Sequence, residues 1–191
     1  TFPSHLGQLP LYYQYKSTGR PYANSGWCAK YIDIPSEPAY PFAFGLSYTT
    51  FEYSALKVLP GDGGKVHARV RVEVKNTGRY EGEEVVQLYV RDEAASITRP
   101  VKELKGFEKI ALKPGESKEV VFDITDEQLG FYDNRMNFVV EKGDFTFMVG
   151  TNSRDVDSVS LHFIVRVKHQ MIADNCCRLH GRYFPFLSGC V

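Results

Sequence analysis

Between Lys65 and Asn76 the chain alternates without a fault. Val66, Ala68, Val70, Val72 and Val74 fall on one side, and Lys65, His67, Arg69, Arg71, Glu73 and Lys75 on the other. A helix with 3.6 residues per turn would scatter those apolar residues around its circumference, whereas a strand collects them on one face. The segment can therefore bury its apolar half only as a strand whose inner face meets a second layer. Asn76-Thr77-Gly78 supplies the turn that ends it.

The same grammar repeats on both sides of this strand. Phe51–Leu59 reads as a strand closed by the turn signal Pro60–Gly64. In Glu83–Asp92, Val86, Leu88 and Val90 alternate with Val85, Gln87 and Tyr89, so one side is expected in a core and the other out of it. Val101–Ile110 is blurred, and Gly106 marks a bulge or kink. The polar loop Ala94–Pro100 between these two strands is too long for a tight hairpin, which suggests a sheet edge or a change of sheet. Pro114-Gly115 is a turn, and Ser117–Ile124 places Val120, Phe122 and Ile124 together. Asp126–Leu129 fits one helical turn capped by Thr125 or Asp126. Short runs flank the turn Asp133–Arg135; then Phe145, Phe147 and Val149, and finally Val159, Leu161, Phe163 and Val165, complete the pattern. Seven or eight short strands with no useful amphipathic helix predict an all-β fold. It is a fibronectin type III-like or immunoglobulin-like β-sandwich over residues 51–167. No Cys…Trp…Cys pattern lies inside it, which disfavours a disulfide-bonded immunoglobulin domain.

Residues 1–50 read as an extended linker arm. They hold six of the ten prolines, at positions 3, 10, 21, 35, 38 and 41, each of which removes a donor and opposes helix. They also hold eleven aromatic residues, from Phe2 to Tyr48, more than one small sandwich can host, which points to a further partner surface. After Val167 the periodicity stops, and residues 168–191 are expected to be an irregular, non-native or disordered tail. Cys176, Cys177 and Cys190 crowd that tail while Cys28 stands alone, and no CxxC spacing favours zinc; free thiols are expected. Lys+Arg and Asp+Glu both number 23, which argues against a dedicated nucleic-acid or anionic-membrane partner. No apolar run approaches the roughly 18 residues a spanning helix needs, and no signal peptide is visible. The chain opens on Thr1, so a fragment or processed product is expected.

Residues that could carry chemistry are better read as structural. Glu83-Glu84 and Asp92-Glu93 are adjacent on strands, so the members of each pair point to opposite faces and cannot flank one substrate. His67 lies on a polar face and His162 between Leu161 and Phe163, neither with a second ligand at metal spacing. Ser47, in Gly45-Leu-Ser-Tyr48, lacks the Gly-x-Ser-x-Gly elbow. No catalytic, cofactor-binding or metal-ligating residue is assigned, and no cofactor is expected.

Three blocks carry a family resemblance: TFPSHLGQLPLYYQYKSTGRP, the hinge PAYPFAFGLSYTTFEYS, and NTG…EEVVQLYVRD…RPVKELKGFEKI followed by LKPGES. In this order they resemble the C-terminal part of glycoside hydrolase family 3 β-glucosidases, over residues 1 to about 165. Ala43 stands where the family's hinge has glycine, and a negative φ is expected there. The resemblance implies a retaining β-glucosidase of carbohydrate metabolism whose two carboxyl groups, about 5–5.5 Å apart, lie in preceding domains. The only tryptophan, Trp27, follows Gly26, so the nucleophile's Ser-Asp-Trp-type motif is absent and this chain alone is expected to be inactive. Its implied partners are the catalytic domains of the parent glycosidase, with the β-glucoside substrate met only through them. Tyr12, Tyr13, Trp27 and Phe42 would dock on the α/β domain, with Arg20 hydrogen-bonding across the junction; a sugar-stacking platform is the rival use of these rings. A periplasmic or secreted setting is suggested by the resemblance alone. Carbohydrate-binding and cell-surface adhesion modules are the alternatives, and the C-terminal pattern does not separate glucosidase from xylosidase.

Overall fold

The computed structural model describes residues 1–17, 31, 33–62 and 64–163, with side chains to residue 161. Arg20, Trp27, Cys28, the side chain of His162 and residues 168–191 lie outside the described residues. Two antiparallel sheets face each other. The first joins β1 (Phe51–Pro60), β2 (Ala68–Asn76) and β5 (Ser117–Ile124) in the order β1-β2-β5. The second has the order β4-β3-β8-β9, from β3 (Gly82–Asp92), β4 (Glu103–Leu112), β8 (Gly143–Gly150) and β9 (Val156–Phe163). β6 (Phe131–Tyr132) and β7 (Phe138–Val139) form a small separate ribbon, and α1 (Asp126–Leu129) is a single turn capped by Thr125.

The alternation read from the sequence becomes the core. Ala68, Val70, Val72 and Val74 of β2 meet Val86, Leu88 and Val90 of β3, with Phe122, Ile124, Phe145 and Phe147 filling the space between sheets. Each large side chain taken from water there contributes about 1.5–3 kcal/mol. The register of β3 against β4 slips between Leu88 and Tyr89, beside Gly106, so the expected bulge is present. A Cβ on Gly106 would sit 3.3 Å from the Phe122 ring, so a side chain there would have to displace that ring slightly. β4 lies at a sheet edge and stays in the sheet of β3, so the long 94–100 loop marks an edge and not a change of sheet.

Two expectations are corrected. Gln87 and Tyr89, placed outside the core, are 4% and 0% exposed. They do lie on the face away from the inter-sheet core, but there Tyr13 of the N-terminal arm packs on Tyr89, and Tyr89 and Thr151 engage the Gln87 amide. Ala43 has φ 61°, not a negative φ. The hinge keeps a backbone suited to glycine, and the L-residue bears the strain of the left-handed region.

Candidate functional site: a strap across the outer sheet face

The arm is doubled back on itself. Phe2 and Tyr40 form an antiparallel bridge, and Gln8, almost fully buried, staples the two runs. Its Oε1 accepts from Ser4 N at 2.6 Å, while its Nε2 donates to Pro35 O at 2.7 Å and Glu37 O at 3.1 Å. Prolines leave few backbone donors in this stretch, so one amide side chain does the work of a ladder.

The doubled arm then straps onto β3 and β4. Tyr13 stacks on Phe42 at 4.2 Å and 18°, and presents its edge to Tyr89 at 5.9 Å and 72°. The Tyr89 hydroxyl donates to Gln87 Oε1 at 2.6 Å, and Gln87 Nε2 donates to Thr151 O at 2.6 Å. Burial pushes the Tyr89 hydroxyl above its usual range, with Tyr13 adding to the effect. Backbone contacts fix the strap's course: Val101 N donates to Tyr15 O at 2.9 Å and Ser153 N to Phe42 O at 3.0 Å. Glu103 ties loop to strap, accepting from Arg99 Nη2 at 2.6 Å and from Gln14 Nε2 at 3.2 Å. Lys102 Nζ donates to Ser153 O at 2.6 Å, and burial lowers its pKa.

The strap's exit is held by Asn76, which is fully buried. Asn76 Oδ1 accepts from Thr49 Oγ1 at 2.6 Å and Gly78 N at 3.0 Å; Nδ2 donates to Tyr80 O at 2.8 Å and Leu112 O at 2.9 Å. Thr77 N adds a bond to Thr50 O at 2.8 Å. A Cβ on Gly78 would lie 2.1 Å from Thr49 Oγ1, so this turn needs glycine for the close approach. The Asn-Thr-Gly turn is therefore also the socket in which the hinge is seated.

Several residues singled out from the sequence have structural partners. Glu83 pairs with Lys109 at 2.6 Å and Glu84 accepts from the Tyr53 hydroxyl at 2.7 Å, on opposite faces. Burial holds the Glu84 carboxyl above its usual range, opposed by that hydrogen bond. Glu93 pairs with Arg91 at 3.0 Å and accepts from Thr146 Oγ1 at 2.6 Å, while Asp92 caps Ala94 N at 3.2 Å. His67 Nε2 meets Asp126 Oδ1 at 2.6 Å, and Ser47 Oγ accepts from Thr49 N at 3.3 Å. Among the described residues no group of three or more His, Cys, Asp or Glu could hold a metal ion. Tyr13 and Phe42, expected to dock on another domain, pack within this chain, whereas Tyr12 is half in solvent at 54%. The sequence did not point to Gln8, Thr49 or the buried side of Tyr89; an aromatic residue on a strand's polar side was the one available signal.

Residues 84–153 match the fibronectin type III-like domain. The chain is 44% identical over 170 residues to a periplasmic β-glucosidase of Salmonella typhimurium, covering 86% of this chain and 22% of that protein. The chain carries a fibronectin type III-like domain of glycoside hydrolase family 3. A putative β-xylosidase of Formosa agariphila is 44% identical, over 84% of this chain and 20% of that one. The crystal structure of a Listeria innocua β-glucosidase in complex with isofagomine has a TM-score of 0.78 at 43% identity. That likeness covers 85% of this chain and 23% of the solved one. The family 3 domain described here thus spans about a fifth of the length of the relatives it matches. Among the described residues no helix is long and apolar enough to cross a membrane.

Proposed function

We propose that this chain is a non-catalytic accessory domain of a family 3 β-glucosidase, whose work is to pack on and stabilise the catalytic domains. Residues 51–167 form the domain and residues 1–50 the strap that links it to them. The observation that carries this reading is the match itself: some 85% of this chain is used, at 43% identity, for 23% of a β-glucosidase's length. The carboxylates considered from the sequence support it, because Glu83, Glu84 and Glu93 are engaged by Lys109, Tyr53 and Arg91 in place of a substrate. The exposed Leu6, Leu9, Tyr12, Tyr15, Leu46 and Tyr48 of the strap supply apolar surface for the partner.

The test is incubation of the purified chain with an aryl β-glucoside. No turnover above a denatured control is expected; turnover well above it refutes the assignment. Titration with cello-oligosaccharides, read by tyrosine and tryptophan fluorescence, is expected to be flat. A saturable change would favour a carbohydrate-binding module instead.

A further inference from the structure

We propose that the loop Ala43–Tyr48 is a docking element of this chain, seating Leu46 and Tyr48 in an uncharged apolar recess of the parent glycosidase's catalytic portion. The inference rests on the accessory-domain reading above and names the side chains that carry it.

The loop is pinned at both ends. On one side Phe42 is stacked on Tyr13 and its carbonyl accepts from Ser153 N. On the other, Thr49 is bonded to the buried Asn76, and Thr50 to Thr77. Inside, Phe44 N donates to Pro41 O, and Ala43 takes φ 61° to make the bend. A loop held this way loses little conformational freedom on binding. Yet Leu46 is 91% and Tyr48 98% exposed, so the fixed backbone presents both to solvent.

Charge separates this loop, like the equally uncharged run Phe2–Tyr15, from the exposed apolar groups of the sandwich. From Pro38 to Phe51 no residue is charged. Phe107, 69% exposed on β4, is flanked by Lys105, Glu108 and Lys109, and the Tyr132–Phe138 ribbon contains Asp133 and Arg135. Those two patches have the makeup of a solvated face. Depletion of charge around large apolar side chains marks the core of an interface, where tyrosine is a frequent anchor. The occupant is the remainder of such an enzyme, because the relatives run on for about four fifths of their length beyond what this chain matches.

The experiment places this chain in the full-length Salmonella typhimurium β-glucosidase in place of the region it matches. The half-life of activity at a fixed elevated temperature is then compared with and without Leu46→Ser plus Tyr48→Ser. Loss of two interface anchors is expected to shorten it at least about tenfold. The same pair of changes should leave the melting temperature of the isolated chain within about 1 °C, since both residues face solvent. Phe107→Ser in the chimera should change the half-life less than about twofold. An active chimera indifferent to the double change overturns this inference alone. A chimera that is folded but no more stable than the enzyme lacking the region overturns the accessory-domain reading and this inference with it. Self-association of the isolated chain that the double change abolishes, with no effect in the chimera, assigns the loop to a second copy and also overturns it.

Discussion

Asn76→Ala removes a side chain that makes four hydrogen bonds in a fully buried site. Each such bond contributes about 1 kcal/mol net, and a buried partner left unpaired costs about 1–3 kcal/mol. The bond to Tyr80 O is only part-buried, so that carbonyl can recover water; Leu112 O and the Thr49 hydroxyl are the larger losses. The expected destabilisation is roughly 2–4 kcal/mol, or about 6–16 °C in melting temperature for a domain of this size. Asn76→Asp sharpens the test. Its carboxylate can still accept from Thr49 and Gly78, but it faces the carbonyl oxygens of Tyr80 and Leu112 with no donor. Burial and those oxygens raise its folded pKa above the unfolded value of about 3.9. Between the two values the folded state binds more protons, so stability falls as pH rises. The difference from wild type should therefore be smaller at pH 4 than at pH 7, measured by urea unfolding at each pH. Asn76→Ala within about 0.5 kcal/mol of wild type, or Asn76→Asp running parallel to wild type across this range, would refute the socket role.

The other predictions concern the strap and one half-buried acid. Tyr13→Ala should destabilise by about 1–3 kcal/mol, less than a fully buried ring because Tyr13 is half-buried, and should open the arm to limited proteolysis before the sandwich melts. Tyr12→Ala, on an exposed ring, should stay within about 0.5 kcal/mol. Ala43→Gly relieves a left-handed residue at about 1–2 kcal/mol but adds unfolded-state freedom at about 0.4–1 kcal/mol. A net gain between about 0 and 1.5 kcal/mol is expected by thermal melting, and a clear loss would contradict the strain. Glu84→Gln keeps an oxygen for the Tyr53 hydroxyl and removes the titration. Because burial raises the folded pKa of Glu84, wild-type stability falls relative to the variant as pH rises above about 4.3, and parallel unfolding curves from pH 4 to 8 would sink this.

The sandwich was legible because its strands alternate with a period that one missing methyl or one misplaced charge would have blurred. Val66 to Val74 and Phe145 to Val149 each announce an inner face, and turns at Asn76–Gly78 and Pro114-Gly115 cut them to length. The strap was not legible, for a physical reason. Tyr13 on Tyr89 and Phe42 at Ser153 are contacts between segments far apart in the chain, and the arm that supplies Tyr13 and Phe42 has no periodicity to reveal its inner side. Gln87 reads as a solvent residue until Tyr89 and Thr151 are seen to take both ends of its amide. Asn76 reads as a turn former, which it is, but its side chain's value depends on Thr49 and Leu112, which only the folded sheet brings to it. The strap's contacts also change what the sandwich is. Its inner face is built from residues 51–161, and on the outer face of β3 the arm's Tyr13 lies against Tyr89. A cut at Phe51 would remove Tyr13 from the edge of Tyr89, so the strap shields part of the sheet it crosses. Beyond that contact the strap keeps Leu6, Leu46 and Tyr48 almost wholly in solvent, so its packing on the sheet uses only part of its apolar surface.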